Sequence, residues 1–168
     1  MLIALTPRRL KIGAAVLTLA VAALIVDRLY ESDKDKINAV IDRMVVAVEE
    51  GRPEDIAVEL THDFLQSGFS REDIIETAKA YFDIYGETSV AVMSRNIRVS
   101  GQIASVEVVA RVGIGGSSFG RASTSTQWQL GLVYSDDRWS VDRIVPVSVG
   151  SRDVFDLNSL RQMLGRFP

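Results

Sequence analysis

Apolar residues recur along this chain in three successive rhythms: unbroken, then at every third or fourth position, then at every second. The unbroken stretch runs from Ile12 to Val26 without a charge. The second rhythm begins with Ile37, Val40, Ile41, Met44, Val45 and Val48, whose spacing fits one face of a helix. Gly51-Arg52-Pro53 stops that helix, and Pro53 suits the first turn of the next. The second helix is predicted to carry Ile56, Leu60 and Phe64 and to break at Ser67-Gly68. Ser70-Arg71-Glu72-Asp73 has the form of a capping box, with Asp in the place usually held by Glu or Gln. It opens a third helix presenting Ile74, Ile75, Ala78, Tyr81, Phe82 and Tyr85, closed by Gly86.

After Gly86 the period becomes two. Val90 and Val92 alternate with polar residues, and Ile97 and Val99 resume after an irregularity near Ser94-Arg95-Asn96. Beyond a turn at Ser100-Gly101, Ala104, Val106, Val108, Ala110, Val112 and Ile114 share one face, with Glu107 and Arg111 on the other. Gly113 to Gly120 reads as a loop. The next strand aligns Ala122, Thr124, Thr126, Trp128, Leu130, Leu132 and Tyr134 on one face. A turn at Ser135 to Arg138 precedes a last strand with Trp139, Val141, Arg143, Val145 and Val147 in alternation. Pro146 confines that strand to an edge or an end. Val154, Leu157, Leu160 and Leu164 outline a short amphipathic helix in the tail. Helices first and strands afterwards predict an α+β class. The expected architecture is three helices packed on a curved antiparallel sheet, a cone-shaped half-barrel behind an N-terminal transmembrane helix.

The apolar run fixes the expected location. At 1.5 Å per residue it covers roughly 22 Å, against a hydrocarbon core of about 30 Å. Leu10, Leu29 and Tyr30 extend it, and Arg9, Lys11 and Arg28 can snorkel. Basic residues precede it while acids gather after it, so the N-terminus is expected in the cytoplasm and the rest across the membrane. A cleaved signal peptide, cut after Ala20-Val21-Ala22, and a buried soluble helix are the competing readings. Leu24-Ile25-Val26 continues past that cut and favours an uncleaved anchor. The chain thus divides into a cytoplasmic basic segment (1–11), a signal-anchor (12–29), a juxtamembrane stalk (30–36), a folded domain (37–150) and a tail (151–168). Localisation to a bacterial inner membrane, single-pass, with an extracytoplasmic (periplasmic) domain, is the expectation.

Composition narrows the chemistry. The net charge of −3 gives no basic footprint for nucleic acid. The absence of cysteine removes disulfides, thiol catalysis and thiolate metal sites. No metal and no cofactor is expected.

The order of elements resembles the nuclear transport factor 2-like, or cystatin-like, α+β superfamily. The resemblance is carried by Val48-Glu49-Glu50-Gly51-Arg52-Pro53-Glu54-Asp55, by Asp63-Phe64-Leu65, by Tyr81-Phe82, and by the closing pair Trp128 to Tyr134 and Asp136 to Val141. It implies a pocket between helices and sheet. Enzymes, ligand binders and assembly modules share that superfamily, so fold leaves function open. Relatives by this resemblance that are isomerases or cyclases place Asp, Tyr or His inside the cone, and the nearest analogues by element here are Tyr81, Tyr85, Asp83 and Glu107. Glu107 and Tyr81, with His62 as a general-base candidate on its own account, are the candidate catalytic residues. Glu107, however, alternates with Val106 and Val108 and is expected to face solvent. His62 is the only histidine, near a helix end. Asp83 falls on the solvated side of its helix. The ligand pocket is expected to draw on Tyr81, Tyr85, Trp128 and Thr126. Gly113 to Ser118 lacks the Lys-Ser/Thr and the following helix of a phosphate cradle. No two acids share an apolar face. The expectation is therefore a non-catalytic, membrane-anchored domain that binds a partner protein or a small apolar ligand. A homodimer through the sheet face and an envelope partner are its expected associations. The alternative is a small-molecule isomerase, dehydratase or cyclase with an acid/base residue in the cone.

Overall fold

The computed structural model describes residues 32–116, 120–154 and 157, so the apolar run Ile12–Val26 lies outside the described residues. Among the described residues no helix is long and apolar enough to cross a membrane.

Helix α1 spans Asp33–Glu49. Its first turn falls inside the segment assigned to the stalk, because Ser32 and Asp35 form a reciprocal capping box there. It buries Ile37, Val40, Ile41 and Ala47 against the sheet, with Met44 and Val45 packed at the margin.

Helix α2, Pro53–Val58, is shorter than its apolar spacing predicts. Leu60 and Phe64 are buried, at 2% and 4% exposure, but not as helix. The backbone at Leu60 pairs instead with Val141: the Val141 N–H donates to the Glu59 carbonyl (2.8 Å), and the Thr61 N–H donates to the Val141 carbonyl (2.9 Å). Those groups cannot also serve a helix. Glu59 is buried beside this bridge, and Arg43 donates to both its carboxylate oxygens at 2.6 and 2.9 Å. The same hydrogen bonds hold the Arg43 guanidinium above its ordinary pKa, against a smaller opposing effect of burial.

A two-stranded hairpin follows, β1 (Leu65–Gln66) and β2 (Phe69–Ser70), turning through Ser67 and Gly68 with φ of 53° and 83°. The Gln66 side chain then behaves as a strand fragment. Its Nε2 donates to the Ile144 carbonyl (2.8 Å), and its Oε1 accepts the Ile144 N–H (2.7 Å). Helix α3, Arg71–Tyr85, starts where the sequence predicts, with both capping-box bonds made by Ser70 and Asp73. It ends at Gly86, whose φ of 68° suits glycine.

The main sheet is antiparallel, in the order β3 (Glu87–Ser100), β4 (Ile103–Gly116), β5 (Gly120–Ser135), β6 (Arg138–Val149), β7 (Arg152–Asp153). The stretch from Gly113 to Gly120, expected as a loop, is largely strand: Gly113 pairs with Ser123 and Gly116 with Gly120. Register places Val99, Ala104, Leu132 and Val141 in one helix-facing row, and Ile97, Val106, Leu130 and Ile144 in the next. With Ile37, Leu60 and Trp139 these rows form the core.

Three bulges reset the alternation. One lies at Met93, between Val92 and Ser94, close to the predicted irregularity. A second lies at Val147, between the pairs Trp128–Pro146 and Gln127–Ser148. The third lies at Asp142, between the pairs Leu132–Val141 and Gly131–Arg143. It corrects the predicted run of the last strand. Trp139 and Val141 face the core, but after the bulge Ile144 and Pro146 take over, and Arg143 turns outward. Val154 and Leu157 of the tail are buried, at 2% and 6% exposure. Leu160 and Leu164 lie outside the described residues.

Candidate functional site

The apolar stripe of helix α3 is half-buried along its length and fully buried nowhere. The helix packs chiefly on α2 and only lightly on β3 and β4. It therefore covers one end of the sheet, the open end of the cone, incompletely: in the helix-facing rows Val92–Ala110–Thr126, Val90–Val112–Thr124 and Thr88–Ile114, Ala110, Thr126 and Thr88 are buried and the rest half-buried. The opposite end, at the Ala104 row, is closed by α1 and the core.

Three aromatic rings of α3 sit at the open end. Tyr81 and Tyr85 lie 4.9 Å apart between ring centroids, and Tyr81 meets Phe82 edge-on at 5.6 Å. Tyr81 faces Thr88, which is 7% exposed. Burial pushes the Tyr81 phenol above its ordinary pKa; the hydrogen bond with Thr88 lowers it, and Tyr85 adds a smaller upward push. A phenol in that state is a hydrogen-bond donor at neutral pH and a poor base. The Thr88 hydroxyl also lies 3.4 Å from the Gly86 carbonyl.

The other expected pocket residues contribute less directly. Thr126 is buried and donates its hydroxyl proton to the Ala110 carbonyl (3.2 Å), so that proton is committed to the sheet. Trp128 lies between Val108 and Pro146 by register and packs on the core.

Glu107, Tyr81 and His62 occupy three different surfaces. Glu107 is on the outer face of the sheet, with Arg98 at 3.7 Å and Asn96 at 3.5 Å. His62 is exposed beside Thr61, which bonds to Val141 at the closed end. Tyr81 is at the open end. Asp83 is exposed, as its helical position predicts. Among the described residues no cluster of three or more His, Asp or Glu could hold a metal.

Two residues of this region escape sequence reasoning. Arg95 is the one charged residue on the helix-facing side of β3 to β6 as described, paired with Val108 by register. It is satisfied by α1, donating to Asn38 Oδ1 (3.2 Å) and Asp42 Oδ1 (2.5 Å). Glu49, at the end of α1, accepts the Val90 N–H (2.9 Å) at the rim of the open end. Neither could be found without knowing that α1 crosses the edge strand. In chemical terms the open end offers aromatic and aliphatic walls, a donor phenol and threonine hydroxyls.

No family model matches the chain, and no curated protein matches it in sequence. Solved structures do match its shape. A candidate scytalone dehydratase from Novosphingobium aromaticivorans superposes with a TM-score of 0.61 at 16% identity, covering 74% of this chain and 93% of that one. A candidate aromatic ring hydroxylase from the same organism gives 0.61 at 14%, covering 76% and 95%. A nuclear transport factor 2-like superfamily protein from Salmonella enterica gives 0.59 at 14%, covering 71% and 92%. At these identities the likeness concerns the fold. The chain has the nuclear transport factor 2-like, cystatin-like α+β fold expected from its order of elements.

Proposed function

We propose that this chain is a membrane-anchored, extracytoplasmic binding domain that takes a small apolar ligand between α3 and the sheet. The observation that carries the reading is the aromatic stripe Tyr81, Phe82 and Tyr85, which the fold leaves only half-buried. Such a surface gains by covering itself with an apolar guest, at about 25 cal/mol per Å² removed from water. Tyr81 and Thr88 supply the few polar contacts that orient a guest in an apolar site. The anchor is the run Ile12–Val26 with its basic flank. Homodimerisation through the outer sheet face, and an envelope protein partner, belong to the same proposal.

The alternative is an isomerase, dehydratase or cyclase. Its support is the candidate dehydratases and hydroxylase among the fold relatives. It needs a base beside the donor phenol, and the helix-facing side of the described strands carries neither acid nor histidine.

The test uses 2-naphthol as probe, titrated calorimetrically into the full-length protein in detergent. Saturable binding that weakens about tenfold, roughly 1.4 kcal/mol, in Tyr81→Ala is the expected result. Binding that is absent, or unchanged in that variant, removes the reading. A reporter fused after Pro168 is expected to be active only outside the cytoplasm; activity only inside reverses the topology.

A further inference from the structure

Resting on the anchored reading above, we infer that the domain stands upright on the bilayer. Its lipid-facing base is the start of α1 with the β3–β4 and β5–β6 turns. The Tyr81–Thr88 end faces the water, and the aqueous compartment is the source of what enters there.

The tether sets the base. Two residues, Tyr30 and Glu31, separate the signal-anchor (12–29) from Ser32, and two residues reach at most about 7 Å. Ser32 begins α1; two contacts tie that start to the β5–β6 hairpin, and a third joins that hairpin to the β3–β4 turn. Asp33 Oδ1 accepts the Trp139 indole N–H (3.2 Å). The Lys36 ammonium lies 5.9 Å from the centre of the Tyr134 ring. The Tyr134 N–H donates to the Gln102 carbonyl (2.8 Å), which brings the β3–β4 turn alongside.

The helix sets the height. Seventeen residues make α1 about 25 Å long. It is fastened along that length: Arg95 grips Asn38 and Asp42 midway, and Glu49 holds the Val90 N–H at the far end. Val90 pairs with Val112, one row from Thr88 and Ile114. The open end therefore lies a full helix length beyond the attachment point, with no hinge inside α1 to fold it back. An apolar guest cannot slide from the acyl chains into the site; it arrives through water or on a carrier.

The chain has no cysteine, so single cysteines can be labelled uniquely. Gln102→Cys marks the base and Glu87→Cys the open end, both at exposed positions. Each variant of the full-length protein carries a bimane fluorophore and is reconstituted into phosphatidylcholine vesicles containing a nitroxide-headgroup lipid. Several-fold stronger quenching at position 102 than at 87 is expected. Equal quenching, as for a domain lying on its side, or stronger quenching at 87, overturns the orientation while leaving the anchor intact. Full-length protein that fails to float with the vesicles overturns the anchor and the orientation together.

Discussion

The Tyr81 phenol is held neutral into the alkaline range because burial disfavours its phenolate. Its folded pKa is raised above the unfolded value near 10. The stability it contributes is therefore full below about pH 10 and is lost as pH rises through the folded value. Tyr81→Phe removes this titration. In urea unfolding above pH 10, the variant is expected to lose less stability with rising pH than the parent. The difference in tyrosinate absorbance between the two proteins isolates this phenol from the other three tyrosines, and should titrate above 10. A difference curve centred at or below 10 would show that the ring is open to water. That Tyr81 belongs to the apolar stripe of α3 was legible from its helical spacing. Its partner Thr88 was not, because the contact depends on how the strand after Gly86 folds back under the helix.

At the scale of elements, patterns internal to one segment were legible and those requiring a partner were not. Helix α3 could be delimited from Ser70, Asp73 and Gly86, since caps are local chemistry. Leu60 and Phe64 have helical spacing, but the helix ends before them and Leu60 bridges to Val141, which is 81 positions away and invisible to any window. The bulge at Asp142 is likewise a property of two strands. Gly131 makes it possible: a Cβ there would stand 2.6 Å from Asp142 Oδ1 and 3.1 Å from Arg143 Cβ. Gly131→Ala must displace the bulge or its carboxylate. We expect a loss of about 1–3 kcal/mol, the usual range for overpacking, read from the shift of the urea midpoint. Asp142→Gly in the Gly131→Ala background should recover part of that loss, because it removes the obstructing carboxylate. Recovery of none would place the strain elsewhere.

Over the whole molecule, burial is uneven. Helix α1 buries four residues, α3 none. Local opening follows buried contacts, so amide hydrogens of α3 should exchange well before those of α1 facing the Ala104 and Val106 rows. A guest bound under α3 should slow exchange there and leave α1 unchanged, as hydrogen-exchange mass spectrometry with and without 2-naphthol can show. Uniform protection would point to global stabilisation and not to a seat beneath this helix. The fold class, the three helices and the sheet strands were readable from the change in period, because burial on one face imposes it. Which end of the cone stays open was not, since that depends on α3 packing on α2 in preference to the sheet.

The edge strand β3 has a final consequence. It is 14 residues long and ends the sheet, the kind of border along which polypeptides polymerise. Here the Val90 N–H is already occupied by Glu49, the Met93 bulge breaks the ladder, and Arg95 and Arg98 follow. A foreign strand would have to evict a carboxylate and straighten a kink before making its first bonds. The molecule thus carries its own stopper against fibrous growth, which matters for any domain crowded at high density on a surface.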